Sequence, residues 1–333
     1  MSDTAAGLDR PNPDRPALDR AERRRRLLDV VQSRGAILVL AAAVLVAGAV
    51  FPAFLRWANL LDIVTAASFV GLVAIGQTVV IIMGGFDLAV GSVVGLGTVI
   101  AALCAPYGWV LALLAPVAAG AAVGFVDGTL IARARMAPFI VTLAALLAIR
   151  ALAVATAGES LVIADPGVFG LLANGTILGV NALVWILAAA YALAALVLNR
   201  TAFGTAVFAI GGNEEAARMM GVRVERTVVL AYVASGALAG LAGALLASRL
   251  DSGLSAAGTG YELQSIAAAV IGGVLLTGGV GTMTGALSGA LLLGLIDNVI
   301  NQIGTLNAYY QGLVSGAFLL LAVVVQGALS QGR

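Results

Sequence analysis

The sequence predicts an all-α fold, a polytopic transmembrane helical bundle of about ten spans with broken or re-entrant helices. Composition is the first observation behind it: 61% of the 333 residues are hydrophobic and 11% charged, against roughly 25% charged in an average soluble domain. The second is the recurrence of nearly charge-free apolar runs long enough to cross a bilayer, which takes about 20 residues each. Glycines and isolated acids that interrupt two such stretches are the third, because they mark helix breaks.

The apolar runs place spans near 36–54, 60–83, 87–105, 109–132, 138–157, 182–198, 227–249, 262–277, 284–300 and 309–327. Residues 1–35 read as a polar, Arg-rich, mobile tail, and 36–333 as one membrane domain with a cytoplasmic loop over about 199–226. The run Gly35 to Ala49 follows that long tail and ends at Phe51-Pro52, so it reads as an uncleaved first span and not as a signal peptide. With the N-terminus inside, Arg133, Arg135, Arg200, Arg218, Arg223, Arg226 and Arg333 share the side of the tail, leaving Arg56 and Arg249 outside. That asymmetry obeys the positive-inside rule and puts both termini in the cytoplasm.

The basic residues are all arginine, and the chain has neither lysine nor histidine. Without lysine a phosphate-binding P-loop lacks its cation, and without histidine no imidazole is available for acid/base work or metal ligation. An enzyme, a resident metal and an ATPase site are therefore not expected in this chain. Cys104, the one cysteine, sits in an apolar stretch and reads as a small hydrophobe. The net charge of +1 offers no footprint for nucleic acid, and no such partner is expected.

Glycines four apart recur at Gly120, Gly124 and Gly128, at Gly236 and Gly240, and at Gly281, Gly285 and Gly289. In lipid such strips bring helix backbones together, since packing has to replace the hydrophobic drive. The spacing of Gly84, Gly85, Gly91 and Gly95 also recurs at Gly278, Gly279, Gly285 and Gly289, a faint internal echo of the kind expected where a transporter has repeated halves with helices broken at corresponding positions.

Two segments carry the functional argument. In Ile82-Met-Gly-Gly-Phe-Asp-Leu-Ala-Val-Gly-Ser92 the glycines break a helix, and Asp87 is suited to cap the one that restarts. The break reads either as a polar loop between spans or as a pathway or gate element built around Gly84, Gly85, Asp87, Gly91 and Ser92. Asp127, Arg150, Glu262 and Asp297 fall inside apolar stretches. Such charges face a cavity or a partner, and internal pairing is open to them. The second segment is Phe203 to Val222. Its end predicts a short helix with Asn213 as N-cap, Glu214 and Glu215 on the positive end of the dipole, and Gly221 as terminator. A helix this short is unstable alone, so it packs on something, and Met219 and Met220 offer an adaptable apolar surface. It reads either as a plain connection on the membrane surface or as a docking element.

From Phe51 to Val325 the sequence resembles the permease subunits of bacterial ABC importers for ribose and related monosaccharides. Gly84-Gly-Phe-Asp-Leu-Ala-Val-Gly-Ser92 is similar to that family's GG-I-DLSVGS signature, with Phe86 and Ala89 replacing its Ile and Ser. Ala137-Pro-Phe-Ile-Val-Thr-Leu143, Phe203-Gly204 with Ala209-Ile-Gly-Gly-Asn213, Gly260-Tyr-Glu-Leu263 and Ile266 to Gly273 follow the family in order. Asp127-Gly128 stands where Asn-Gly is common. The resemblance implies a helix coupled to an ATPase at Asn213, Glu214, Glu215, Ala216, Ala217, Arg218 and Gly221. It also implies an ABC ATPase subunit carrying ATP and Mg, a periplasmic sugar-binding protein and a second permease chain, with no cofactor on this chain. A pentose or hexose is the implied solute, with nucleosides, polyols and signalling furanosides as alternatives. The rival from another class is an ion- or proton-coupled secondary transporter that uses the intramembrane acids and Arg150.

Overall fold

The computed structural model describes residues 35–157, 160–163, 166–303 and the helical residues 312–313, 316–317, 320 and 324. Among them, seven helices are long and apolar enough to cross a bilayer. They are α2 (Trp57–Ile82), α3 (Val90–Cys104, continued by a 3-10 turn to Tyr107), α4 (Trp109–Ala132), α5 (Pro138–Ala157), α7 (Ala182–Arg200), α10 (Val224–Leu250) and α12 (Met283–Ile303). Shorter helices join or flank these: α1 (described over Gly35–Val50), α6 (Gly167–Asn174), α8 (Ala202–Gly212), α9 (Glu214–Met219) and α11 (Tyr261–Ile271). Two short antiparallel ribbons, β1 (Ser160–Val162) with β4 (Ser252–Leu254) and β2 (Thr176–Ile177) with β3 (Val180–Asn181), close connections between spans.

Seven full spans are found among the described residues, where the sequence predicts about ten. The expected span at 262–277 is corrected to α11, whose 11 residues rise about 16 Å, half of the hydrocarbon core. Gly273, at φ +87°, stops it: its N–H bonds to the Val270 carbonyl at 3.0 Å and that of Val274 to the Ala269 carbonyl at 3.0 Å, a Schellman termination. Hydropathy does not register this, because the residues beyond are equally apolar. At 36–54 the described helix ends at Val50, and Phe51 begins a turn. The expected span at 309–327 and the tail lie largely or wholly outside the described residues.

The core forms where α10 runs antiparallel along α4 and also packs on α3 and α2. A Cβ on Gly120 would strike the Gly236 backbone, and one on Gly240 would strike Pro116, so these strips are contact surfaces between backbones. α12 returns antiparallel to α11, with Gly285 against Gly272 and Gly289 against Ala268. The repeated glycine spacing acquires a structural meaning here. Gly84 and Gly278 both take positive φ, +90° and +84°, and the two turns meet, the Gly279 N–H bonding to the Ile82 carbonyl at 2.7 Å.

Candidate functional site

The break between α2 and α3 begins with a second Schellman termination. Gly84 N–H bonds to the Ile81 carbonyl at 2.8 Å and Gly85 N–H to Val80 at 2.9 Å. The chain then runs without regular structure through Asp87, which is buried, and α3 begins at Val90. Asp87 Oδ1 accepts from the Ala89 N–H at 3.1 Å, the capping role its sequence position predicts, while Oδ2 accepts from the Ser235 hydroxyl of α10 at 2.7 Å. The Tyr232 hydroxyl donates to the Phe86 carbonyl at 3.0 Å. A Cβ on Gly85 would meet that hydroxyl at 2.7 Å. The break is thus held from α10 as well as by its own backbone.

Below the break, α3 presents Gly91 and Gly95 to the loop that leads into α11. Side chains there would collide with the Gly258 carbonyl at 2.6 Å and the Ser255 carbonyl at 2.7 Å. Ser92, next to Gly91, donates its hydroxyl to the Leu146 carbonyl of α5 at 2.8 Å. Arg150 of α5 does not pair with an acid. Its Nη1 donates to the carbonyls of Ser255 and Ala257 at 2.8 and 2.9 Å, tying α5 to this loop. Glu262 accepts from the Gly260 N–H at 3.1 Å through Oε1, and its Oε2 has no hydrogen-bond partner. Gly84, Gly85, Asp87, Gly91, Ser92 and Glu262 therefore cluster around the break and the start of α3. Asp297, on α12, lies near Tyr261 at the start of α11, with Oδ1 buried and unbonded.

Asp127 differs from Asp87. It is 3% exposed on α4, close enough to Tyr232 and Asp87 to interact electrostatically, yet no described residue offers it a hydrogen bond. It forms part of the wall of a cavity of about 510 Å³ between α4 and α5. Among the described residues, the ion pairs all belong to Arg218, so the intramembrane charges are left without salt bridges.

The second segment forms the helix its sequence predicts. Asn213 Oδ1 accepts from the Ala216 N–H at 2.9 Å. Gly221, at φ +83°, closes a third Schellman motif in which its N–H bonds to Arg218 and that of Val222 to Ala217, both at 3.1 Å. Glu214 and Glu215 occupy the first turn. Arg218 reaches Glu214 at 3.0 Å and Glu225 of α10 at 3.6 Å, so it links α9 to the start of a long span. Exposed pairs of this kind add at most about 1 kcal/mol each. The firmer anchor is Ala217, fully buried beneath the helix. Met219 and Met220, 79% and 73% exposed, point away from the chain.

Several of these partners lie beyond sequence reasoning. Tyr232 and Ser235 are polar residues on an α10 face that is otherwise small or apolar, a weak signal that they support something polar. Gln77, wholly buried in α2 with neither amide atom bonded, gave no signal inside its apolar run. α8, directly before α9, also went unpredicted.

Removal of the Asp87 carboxylate leaves a buried hydroxyl and a buried N–H without an acceptor. Asp87→Ala is expected to cost at least about 1–3 kcal/mol, read as a lower midpoint of thermal unfolding in detergent. Asp87→Asn retains most of the stability, because its carbonyl still accepts from Ala89 and Ser235 can accept from its amide. An unchanged midpoint in Asp87→Ala would remove Asp87 from the support of the break.

The family model described as branched-chain amino acid transport system / permease component matches residues 59–323. The ribose import permease protein of Escherichia coli K12 is 38% identical over 296 residues, 87% of this chain and 91% of the relative. That of Bacillus subtilis 168 is 36% identical over 300 residues, 89% and 93% of the two chains. The L-arabinose ABC transporter permease protein of Azospirillum brasilense is 35% identical over 317 residues, 94% and 93%. No solved structure matches. A polytopic apolar bundle without an ATP-binding motif, alignable along nearly the whole of these permeases, belongs to the family of binding-protein-dependent transport permeases described by that model.

Proposed function

We propose that this chain is the membrane-spanning permease of an ABC importer for a sugar, a pentose or hexose, and that a periplasmic binding protein delivers the solute while a separate ATPase drives the cycle. The family description names amino acid transport, but the relatives aligned over most of both chains are named for ribose and L-arabinose, which favours a sugar. Two permease chains enclose the path in this reading. ATP and Mg sit on the partner ATPases, and both termini of the permease are cytoplasmic.

The observation that carries the mechanism is α9. It is capped at both ends, anchored by Ala217 and joined to α10 through Arg218 and Glu225, while its methionines are free to meet another protein. Force applied to Met219 and Met220 passes into α10, whose Tyr232 and Ser235 hold the α2–α3 break. The permease is then a two-state element biased by the nucleotide state of its partner. Asn213, Glu214, Glu215, Ala216 and Gly221 set the shape of this lever, and Arg218 links it to α10.

The test is reconstitution in proteoliposomes with an ABC ATPase and a periplasmic sugar-binding protein from the same organism. ATP-dependent uptake of labelled ribose or arabinose is expected, with none when the ATPase is omitted. The rival reading, a proton-coupled carrier, draws support from the unpaired Asp127. Accumulation by the permease alone on a proton gradient would decide for that rival.

A further inference from the structure

We propose that the groove between α4 and α5 is a water-filled, hydroxyl-binding stretch of the solute path, with the Asp127 carboxylate as the acceptor. The proposal rests on the sugar-importer reading and assigns one of its sites. Val123, Asp127 and Leu130 follow the three- and four-residue spacing of one helix face, and they line the groove opposite Ile140, Ala144 and Ala148 of α5. At about 510 Å³ the groove lies in the size range of small-molecule sites, roughly 300–1,000 Å³.

The carboxylate is the unusual element. Its residue is 3% exposed near the C-terminal end of the spanning helix α4, and no described residue donates to it. The neighbouring acid Asp87 has both oxygens bonded. If hydrocarbon filled the groove, Asp127 would face it unbonded, a costly arrangement for a charged side chain in lipid. A carboxylate offers acceptors alone, and O–H···O⁻ bonds are short and strong, so it suits a polyol hydroxyl and not an anionic solute. The apolar walls suit the C–H faces of a sugar ring. One polar contact in an apolar groove also makes for weak binding, as a path that has to release its solute requires.

Cys104 is the chain's single cysteine, so Cys104→Ser provides a background for site-directed labelling in the assembled importer. In that background Ala144→Cys and Ala148→Cys report on the groove, and Leu147→Cys, which faces outward at 64% exposure and does not line the groove, is the lipid control. The probe is a negatively charged, membrane-impermeant methanethiosulfonate, applied with and without nucleotide. In at least one nucleotide state both groove thiols are expected to react about tenfold or more faster than the control, because the reactive thiolate forms in water and is suppressed in apolar surroundings. Ribose or arabinose in excess is expected to slow the groove reaction, and Asp127→Ala, which removes the acceptor, to abolish that protection while labelling without sugar stays fast. Groove thiols no faster than the control in either state would mean that lipid or a second protein chain fills the groove, and the proposal fails. Protection unchanged in Asp127→Ala would overturn the role of Asp127. ATP-driven uptake by the cysteine-free importer is read separately. Uptake with slow labelling rejects the groove alone, and absence of uptake rejects the importer.

Discussion

Met219→Arg with Met220→Arg is expected to leave a folded permease that no longer couples to ATP. Both side chains are largely solvent-exposed at the end of α9 and none of the helix's own bonds involves them, so the change costs the isolated chain little stability. Two guanidinium groups replace the adaptable apolar surface that would sit in a partner's groove. Loss of a buried apolar anchor from an interface costs about 2–4 kcal/mol, roughly 30- to 900-fold in affinity. The measurement is co-purification with the ATPase together with ATP-driven sugar uptake, against size-exclusion behaviour as the folding control. Wild-type co-purification and uptake from the double variant would show that α9 is a connection on the membrane surface and no lever.

Gly236→Val acts through packing. The added Cβ would lie on the Gly120 carbonyl, 2.9 Å from its carbon and 3.2 Å from the Gly124 amide nitrogen. Those atoms are backbone, so no rotamer change relieves the clash and the whole of α4 has to move away from α10. Overpacking in a tight core costs about 1–3 kcal/mol and at times more. Here the separation also weakens the neighbouring glycine contacts on the same strip and shifts Tyr232 and Ser235, which hold the break. A loss of most of the monodisperse protein recovered from the membrane is expected. Gly212→Val is the control, since a Cβ there meets nothing within 4 Å, and its yield is expected to match the parent. Equal recovery of both variants would contradict the helix pairing.

Much of this organisation depends on chemistry between neighbours in sequence, and that part is legible without a structure. Hydropathy over a bilayer's length located α2, α4, α5, α7, α10 and α12 to within a few residues. Asn213 and Gly221 bound α9 because a cap acts on amides and carbonyls at most four residues away. Asp87 sits beside the amide it caps for the same reason.

The sequence by itself determined a polytopic bundle, a break at Gly84 to Asp87 and a short capped helix before α10. Tertiary structure alone decided which charges find partners: Arg150 turns to two carbonyls, Asp87 to Ser235, and Asp127 to the groove between α4 and α5. The stop of α11 at Ile271 is local, a Schellman termination at Gly273 that hydropathy does not register. The physical reason is range, since hydropathy and capping are summed along the chain, whereas the fate of a buried charge depends on which helix face the fold brings against it.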